Sequence, residues 1–204
     1  MGVVLFLPAG RVFYWQAWVY MAILFVPMIF ALRFMLKYEP ELLERRMKMK
    51  EKVPLQARLI KLSYLYFGLV FIIPGLDQRY QWSAVPPAVV VLAEVMVFAG
   101  YMLCLLVFKE NPYASRIIEV APDQEVVTTG LYALVRHPMY LAALLMYLFT
   151  PLALGSYWAL LVIPLLVVFL VVRMLNEEKL LLRELKGYPE YTQKTRYRLI
   201  PGIW

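Results

Sequence analysis

Four long apolar blocks alternate with charged connectors along the chain: Val12 to Leu36, Leu59 to Leu76, Ala84 to Phe108 and Met139 to Val172. The first three each have the length of one membrane crossing, which takes about 20 apolar residues. As a single helix the fourth would extend about 50 Å, too long for a hydrocarbon core about 30 Å thick. Thr150-Pro151 and Gly155-Ser156, near its middle, are breaker signals, so the block reads as a helical hairpin. The pattern predicts an all-α, polytopic membrane bundle of about five transmembrane helices. The last two form the hairpin, and a short helical tail follows.

Charge placement orients this bundle. Segments 37–61, 109–138 and the tail after 172 fall on one side and hold eight, three and seven Lys/Arg. The other side holds Arg11 and Arg79, and Arg33 lies within the first span. Such a bias puts the basic side in the cytoplasm. The C-terminus is therefore expected to be cytoplasmic and the N-terminus outside. Trp15, Trp18, Tyr20, Tyr80 and Trp82 read as an aromatic belt at the outer interface. The stretch 39–58 reads either as an amphipathic helix on the anionic leaflet or as a solvated connector, and as catalytic in neither case.

Composition removes the soluble alternatives. The 204 residues are 63% hydrophobic and 17% charged, against about half and a quarter in soluble domains. The net charge of +7 sits in connectors beside apolar runs, which is topology and not a nucleic-acid surface. One Cys and one His exclude an intrachain disulfide and the usual zinc sites, and no metal is expected. The chain reads as one integral membrane domain, 1–204. Residues 1–108 supply membrane helices, and 109–204 carry the candidate chemistry.

That chemistry concentrates at two places. Gly130-Leu131-Tyr132 and Arg136-His137-Pro138-Met139-Tyr140 stand at the mouth of the fourth span. Pro138 suits the first helical turn, which puts His137 near unpaired backbone donors that favour an anion. Basic anchoring with ordinary capping is the competing reading. At the end of the fifth span, Arg173 and Glu177 are four apart and share a helix face. Ionisable groups so close to hydrocarbon tend to face a cavity, although a snorkelling Arg with an exposed pair is equally compatible. Glu94 within the third span is read as protonated or hydrogen-bonded between helices, with a catalytic role open. Cys104 reads as packing. The phosphate-loop, dinucleotide, nucleophile-elbow and zinc-protease motifs are all missing.

Together, the stretches 124–140 (Q-E-V-V-T-T-G-L-Y-A-L-V-R-H-P-M-Y) and 173–181 (R-M-L-N-E-E-K-L-L), with Y-P-E-Y at 188–191 and R-L-I-P at 198–201, resemble one family. It is the isoprenylcysteine carboxyl methyltransferases, related to the phospholipid methyltransferases, and the likeness covers roughly 110 to 204. The resemblance implies an S-adenosylmethionine-dependent methyltransferase whose cofactor lies at the cytoplasmic membrane face. It implies cofactor contacts from Gln124, Glu125, Val126, Val127 and Tyr132, from the wall His137, Pro138, Met139 and Tyr140, and from Glu177. Arg173 would face the methyl acceptor, and Arg173 and Glu177 are the implied catalytic pair. Glu178 matches a second carboxylate of unassigned role. Gln124 stands where relatives often carry His, and Leu185-Lys186-Gly187 matches their Phe-Gly only loosely.

The implied acceptor is lipophilic and enters from the bilayer, by default as the carboxylate of an isoprenylcysteine-like molecule. Phospholipid (phosphatidylethanolamine) N-methylation and small-thiol S-methylation are alternatives of the same chemistry. An NADPH-dependent membrane sterol reductase would need an arginine cluster, and 124–140 shows none. A non-enzymatic membrane protein with a vestigial pocket is the remaining alternative. Membrane lipids are the expected surroundings, no nucleic acid is expected, and a prokaryotic inner membrane is the expected location.

Overall fold

The computed structural model describes residues 1–47 and 54–204, and these form eight α-helices and no strand. In order they are α1 (Gly2–Ala9), α2 (Trp15–Tyr38), α3 (Pro40–Met47), α4 (Pro54–Tyr80), α5 (Pro87–Glu110), α6 (Pro138–Ala153), α7 (Ile163–Glu184) and α8 (Tyr188–Lys194). Short 3-10 turns at Gly130–Ala133 and Trp158–Val162 precede α6 and α7. Several helices open on or near a proline, including Pro87 and Pro138, where a missing N–H costs no hydrogen bond.

Four helical segments are long and apolar enough to cross a membrane: 15–38, 58–80, 87–110 and 158–184. α6, at 16 residues, is the shorter apolar partner. The hairpin is therefore present, but its turn lies later than the first breaker. Thr150 and Pro151 remain inside α6, because Pro151 disrupts only one turn of a helix held by its neighbours. The chain reverses at Leu154–Tyr157, where Gly155 takes φ +72°, a conformation that favours glycine.

Polar side chains fasten the two ends of the bundle. At the turn end, buried Asp77 accepts hydrogen bonds from the Ser83 N–H (2.8 Å), the Ser83 hydroxyl and the Ser156 hydroxyl (2.5 Å). Tyr14 Oη donates to Leu154 O at 2.5 Å. At the loop end, α3 docks on the segment after α5: Ser115 Oγ donates to Arg45 O (3.4 Å) and Arg46 Nη1 donates to Ala114 O (3.3 Å).

Three readings change here. The apolar start of the chain forms α1, a helix too short to span, which docks on α4; a Cβ on Gly75 would lie 2.7 Å from Leu5 O. Tyr20 is buried and bonded to Thr150 Oγ1 at 2.8 Å, so it is a packing residue; Trp15, Trp18, Tyr80 and Trp82 are exposed. The amphipathic stretch is divided between α3 and the start of α4, and its residues 48–53 lie outside the described residues.

α5 and α6 also approach closely. A Cβ on Gly100 would lie 2.8 Å from Met146 N and 3.0 Å from Ala142 O. Small residues allow such approach between membrane helices. Gly68 has nothing within 4 Å. We expect Gly100→Ala to lose about 1–2 kcal/mol despite the better helix propensity of alanine. Gly68→Ala should be neutral or slightly stabilising. Thermal unfolding of both variants in detergent checks the contrast.

Candidate active site

The loop end of the bundle encloses a cavity of about 310 Å³, at the small end of the range for ligand sites. Its walls come from segment 111–140, from α7 and α8, and from α3 and α4. The wall is built from the end of α5. Glu110 Oε2 accepts the Leu131 N–H at 2.8 Å, and its carboxylate fills the space a Cβ on Gly130 would need. Gly130 has φ +54°, so both space and conformation exclude a side chain. Asn111 Nδ2 donates to Tyr132 Oη at 2.7 Å. Tyr132 O in turn accepts from Tyr191 Oη (2.7 Å) and Thr195 Oγ1 (3.3 Å). Burial pushes the Tyr132 phenol well above its ordinary range, so it is neutral.

His137 is the N-cap of α6, as Pro138 at the first position requires, but its side chain makes no capping bond. The Arg136 and His137 N–H groups donate to Tyr197 O and Arg198 O, both at 2.9 Å, which ties the tail to this corner. The His137 ring is buried against Tyr140 at 5.7 Å. Its pKa is pushed down to about 3, first by burial and then by the Arg136 and Arg198 charges. The imidazole is therefore neutral at ordinary pH, and its buried Nε2 has no hydrogen-bond partner. Tyr188 Oη, on the opposite wall, is likewise buried without one.

Tyr140 Oη donates to Glu177 Oε2 at 2.5 Å and also reaches Arg173. Arg173 Nη2 donates to Arg116 O at 2.7 Å. Glu178 points elsewhere. It is buried and pairs with Arg136 Nη1 (2.8 Å) and Arg198 Nε (2.6 Å), so it fastens the tail and does not line the cavity.

Every residue singled out for the site lines this one cavity: Gln124, Glu125, Val126, Val127, Tyr132, His137, Pro138, Met139, Tyr140, Arg173 and Glu177. Gln124 Oε1 accepts the Ala121 N–H at 3.0 Å and closes its own turn. Glu94 is not among them; it is buried in α5, and neither oxygen has a hydrogen-bond partner. Cys104 packs its sulfur 3.6 Å from Met139 Sδ. Missed in the sequence were Arg46, Asn111, Tyr188 and Tyr191. The last two lie in the quoted Y-P-E-Y motif, whereas nothing local marked Arg46. A narrow apolar groove between α4 and α7 shares Phe67, Tyr147, Phe169 and Leu170 with the cavity.

Residues 90–183 match the sequence profile of the Isoprenylcysteine carboxyl methyltransferase (ICMT) family. Over that stretch, a little under half of the chain, the sequence is similar to the family. The match takes in most of α5, ahead of the motifs, and stops before α8 and the tail. No curated protein matches the chain. With four spanning-length helices the chain is an integral membrane protein, and its matched segment resembles a methyltransferase family. The folded cavity gathers Arg46, Arg116, Arg136 and Arg173, so the scarcity of arginine within 124–140 does not describe it. The family match is what weighs against a reductase.

His137 makes stability depend on pH. Folded it titrates near 3, against 6.5 when unperturbed, so below 6.5 the unfolded chain takes up the proton and the folded chain does not. Its contribution is full above pH 6.5 and is lost as pH falls toward 3. The expected outcome is a melting temperature that declines below pH 6.5, with a shallower decline in His137→Gln.

Proposed function

We propose that this protein, through the segment that resembles the ICMT family, transfers a methyl group from S-adenosylmethionine to a lipophilic acceptor that reaches the cavity from the bilayer. By family default the acceptor is the carboxylate of an isoprenylcysteine-like molecule. The carrying observation is that the family-matched segments 111–140 and 169–181 meet in one cavity that joins buried polar atoms to an apolar wall. The groups present suit the cofactor. His137 Nε2 and Tyr188 Oη are buried polar atoms without a partner, and tyrosine rings 132, 140, 188 and 191 line the space. Gln124 to Val127, Tyr132, His137 to Tyr140 and Glu177 would hold it.

When bound, S-adenosylmethionine supplies an electrophilic methyl group on a sulfonium. The chain's own task is then positioning. Aromatic faces and the Glu177 carboxylate favour a cation. Burial keeps His137 uncharged, so the imidazole adds no positive charge beside a sulfonium. Arg173 would orient an acceptor carboxylate by paired N–H donors. Such an acceptor is already ionised at neutral pH, so no base is needed. An amine acceptor would need one, and Glu177 already accepts the Tyr140 hydroxyl on Oε2. The small apolar crevice between α4 and α7, about 20 Å³, adjoins the cavity and would mark where an apolar chain enters between the helices. In this reading the cavity faces the cytoplasm of a prokaryotic cell, with the C-terminus on that side.

Calorimetry on detergent-purified protein tests the cofactor. Binding of S-adenosylmethionine and S-adenosylhomocysteine should weaken about tenfold or more in His137→Ala and Glu177→Ala. A well-folded sample that prefers NADPH would overturn the reading. Arg173→Ala should abolish turnover of a carboxylate acceptor while leaving cofactor affinity in place; unchanged turnover removes Arg173 from the acceptor site.

A further inference from the structure

α3 brings to the cavity a cation that none of the motifs contains. Arg46 lines the same space as Arg173 and Glu177, although more than a hundred residues of chain separate it from them. It is held from behind. Its guanidinium lies 3.9 Å from the centre of the Phe108 ring, and Nη1 makes a 3.3 Å bond to Ala114 O. A guanidinium has five N–H donors, and among the described residues no other hydrogen bond or carboxylate engages this one. Burial, together with the Arg116 charge, acts against its protonated form. Arginine nonetheless stays charged in proteins. A half-buried cation without a counter-charge is costly, and an anion in the cavity removes that cost.

Its position tells which molecule supplies the anion. Arg46 lies near Tyr147, and Tyr147 and Phe67 belong to both the cavity and the apolar groove. The His137 corner and Tyr188, which would hold the cofactor, belong to the cavity alone. Arg46 thus stands on the side of the cavity next to that apolar crevice, where the polar head of an acceptor entering between α4 and α7 would arrive.

We infer that Arg46 is a specificity-determining residue that holds an anionic oxygen, carboxylate or phosphate, of the lipophilic acceptor. This rests on the proposed reading of the cavity as an acceptor site. It extends that reading: acceptors are selected by negative charge at the α3 edge as well as by apolar length. A residue that merely clamps α3 to α5 would affect stability and leave selectivity unchanged.

The test uses the full chain in detergent and two matched pairs of probes. N-acetyl-S-farnesylcysteine is compared with its carboxamide, and phosphatidic acid with the corresponding diacylglycerol. Wild type should bind the anionic member of one pair about tenfold more tightly, and that pair identifies carboxylate or phosphate as the source. Arg46→Gln should reduce that preference about threefold or more, leaving the part Arg173 supplies, with S-adenosylhomocysteine affinity retained. Arg46→Lys should fall between, because the charge remains and the paired donors are lost. A wild type without preference in either pair overturns the inference. So does an Arg46→Gln ratio equal to wild type or, should that variant not fold, an Arg46→Lys ratio equal to wild type. Failure of wild type to bind S-adenosylhomocysteine would sink the methyltransferase reading instead, and the probe ratios would still report on Arg46.

Discussion

Glu178 holds two arginines that arrive from opposite directions of the chain. Arg136 precedes α6 and Arg198 follows α8, and both place nitrogens within 2.8 Å of the one buried carboxylate. Removing one partner of a buried pair leaves an uncompensated charge, at a cost of about 3–5 kcal/mol. The backbone bonds from Arg136 and His137 to Tyr197 and Arg198 run alongside. The cavity floor, the His137 corner and the position of α8 all depend on this knot. Glu177, one residue earlier, is turned about 100° around the helix and faces the cavity. Two adjacent acids thus divide the work, one toward ligand and one toward architecture.

Much of the fold was legible because hydrocarbon imposes a length on every crossing. The first three apolar runs gave their spans to within a few residues, the hairpin followed from a run too long for one, and its second helix continues past the run at Val172 to Glu184. The turn itself fell at Gly155, not at Thr150-Pro151, because a proline inside a packed membrane helix need not end it. α1 was not recognised: its eight residues are shorter than any crossing, and only docking on α4 explains them. Tyr20 left the aromatic belt because a hydroxyl partner, Thr150, waits on another helix.

The candidate site was legible to the degree that it is local in sequence. The segment 124–140 and the pair Arg173–Glu177 carry their own spacing, and they meet in one cavity. Arg46 and Asn111 carry none. Asn111 acts through Tyr132, and Arg46 reaches the site only because α3 folds back onto the segment after α5. A basic residue in a basic connector has no pattern that separates it from its neighbours. Glu178 posed the reverse problem, since its motif match could not tell a ligand-facing acid from a structural one.

The tail contacts carry a consequence for synthesis. The α5–α6 pair and α7 all emerge well before Arg198, so the spans can assemble while the carboxylate of Glu178 and the backbone donors at 136 and 137 still await their partners. Until the chain has been made as far as Arg198, the corner at Arg136 and His137 lacks the contacts that fasten it. Insertion of the spans and fastening of the cavity's Arg136–His137 corner are therefore separable steps, the second waiting on the segment after α8. A membrane protein arranged this way can reach its final depth before that corner of its pocket is fastened.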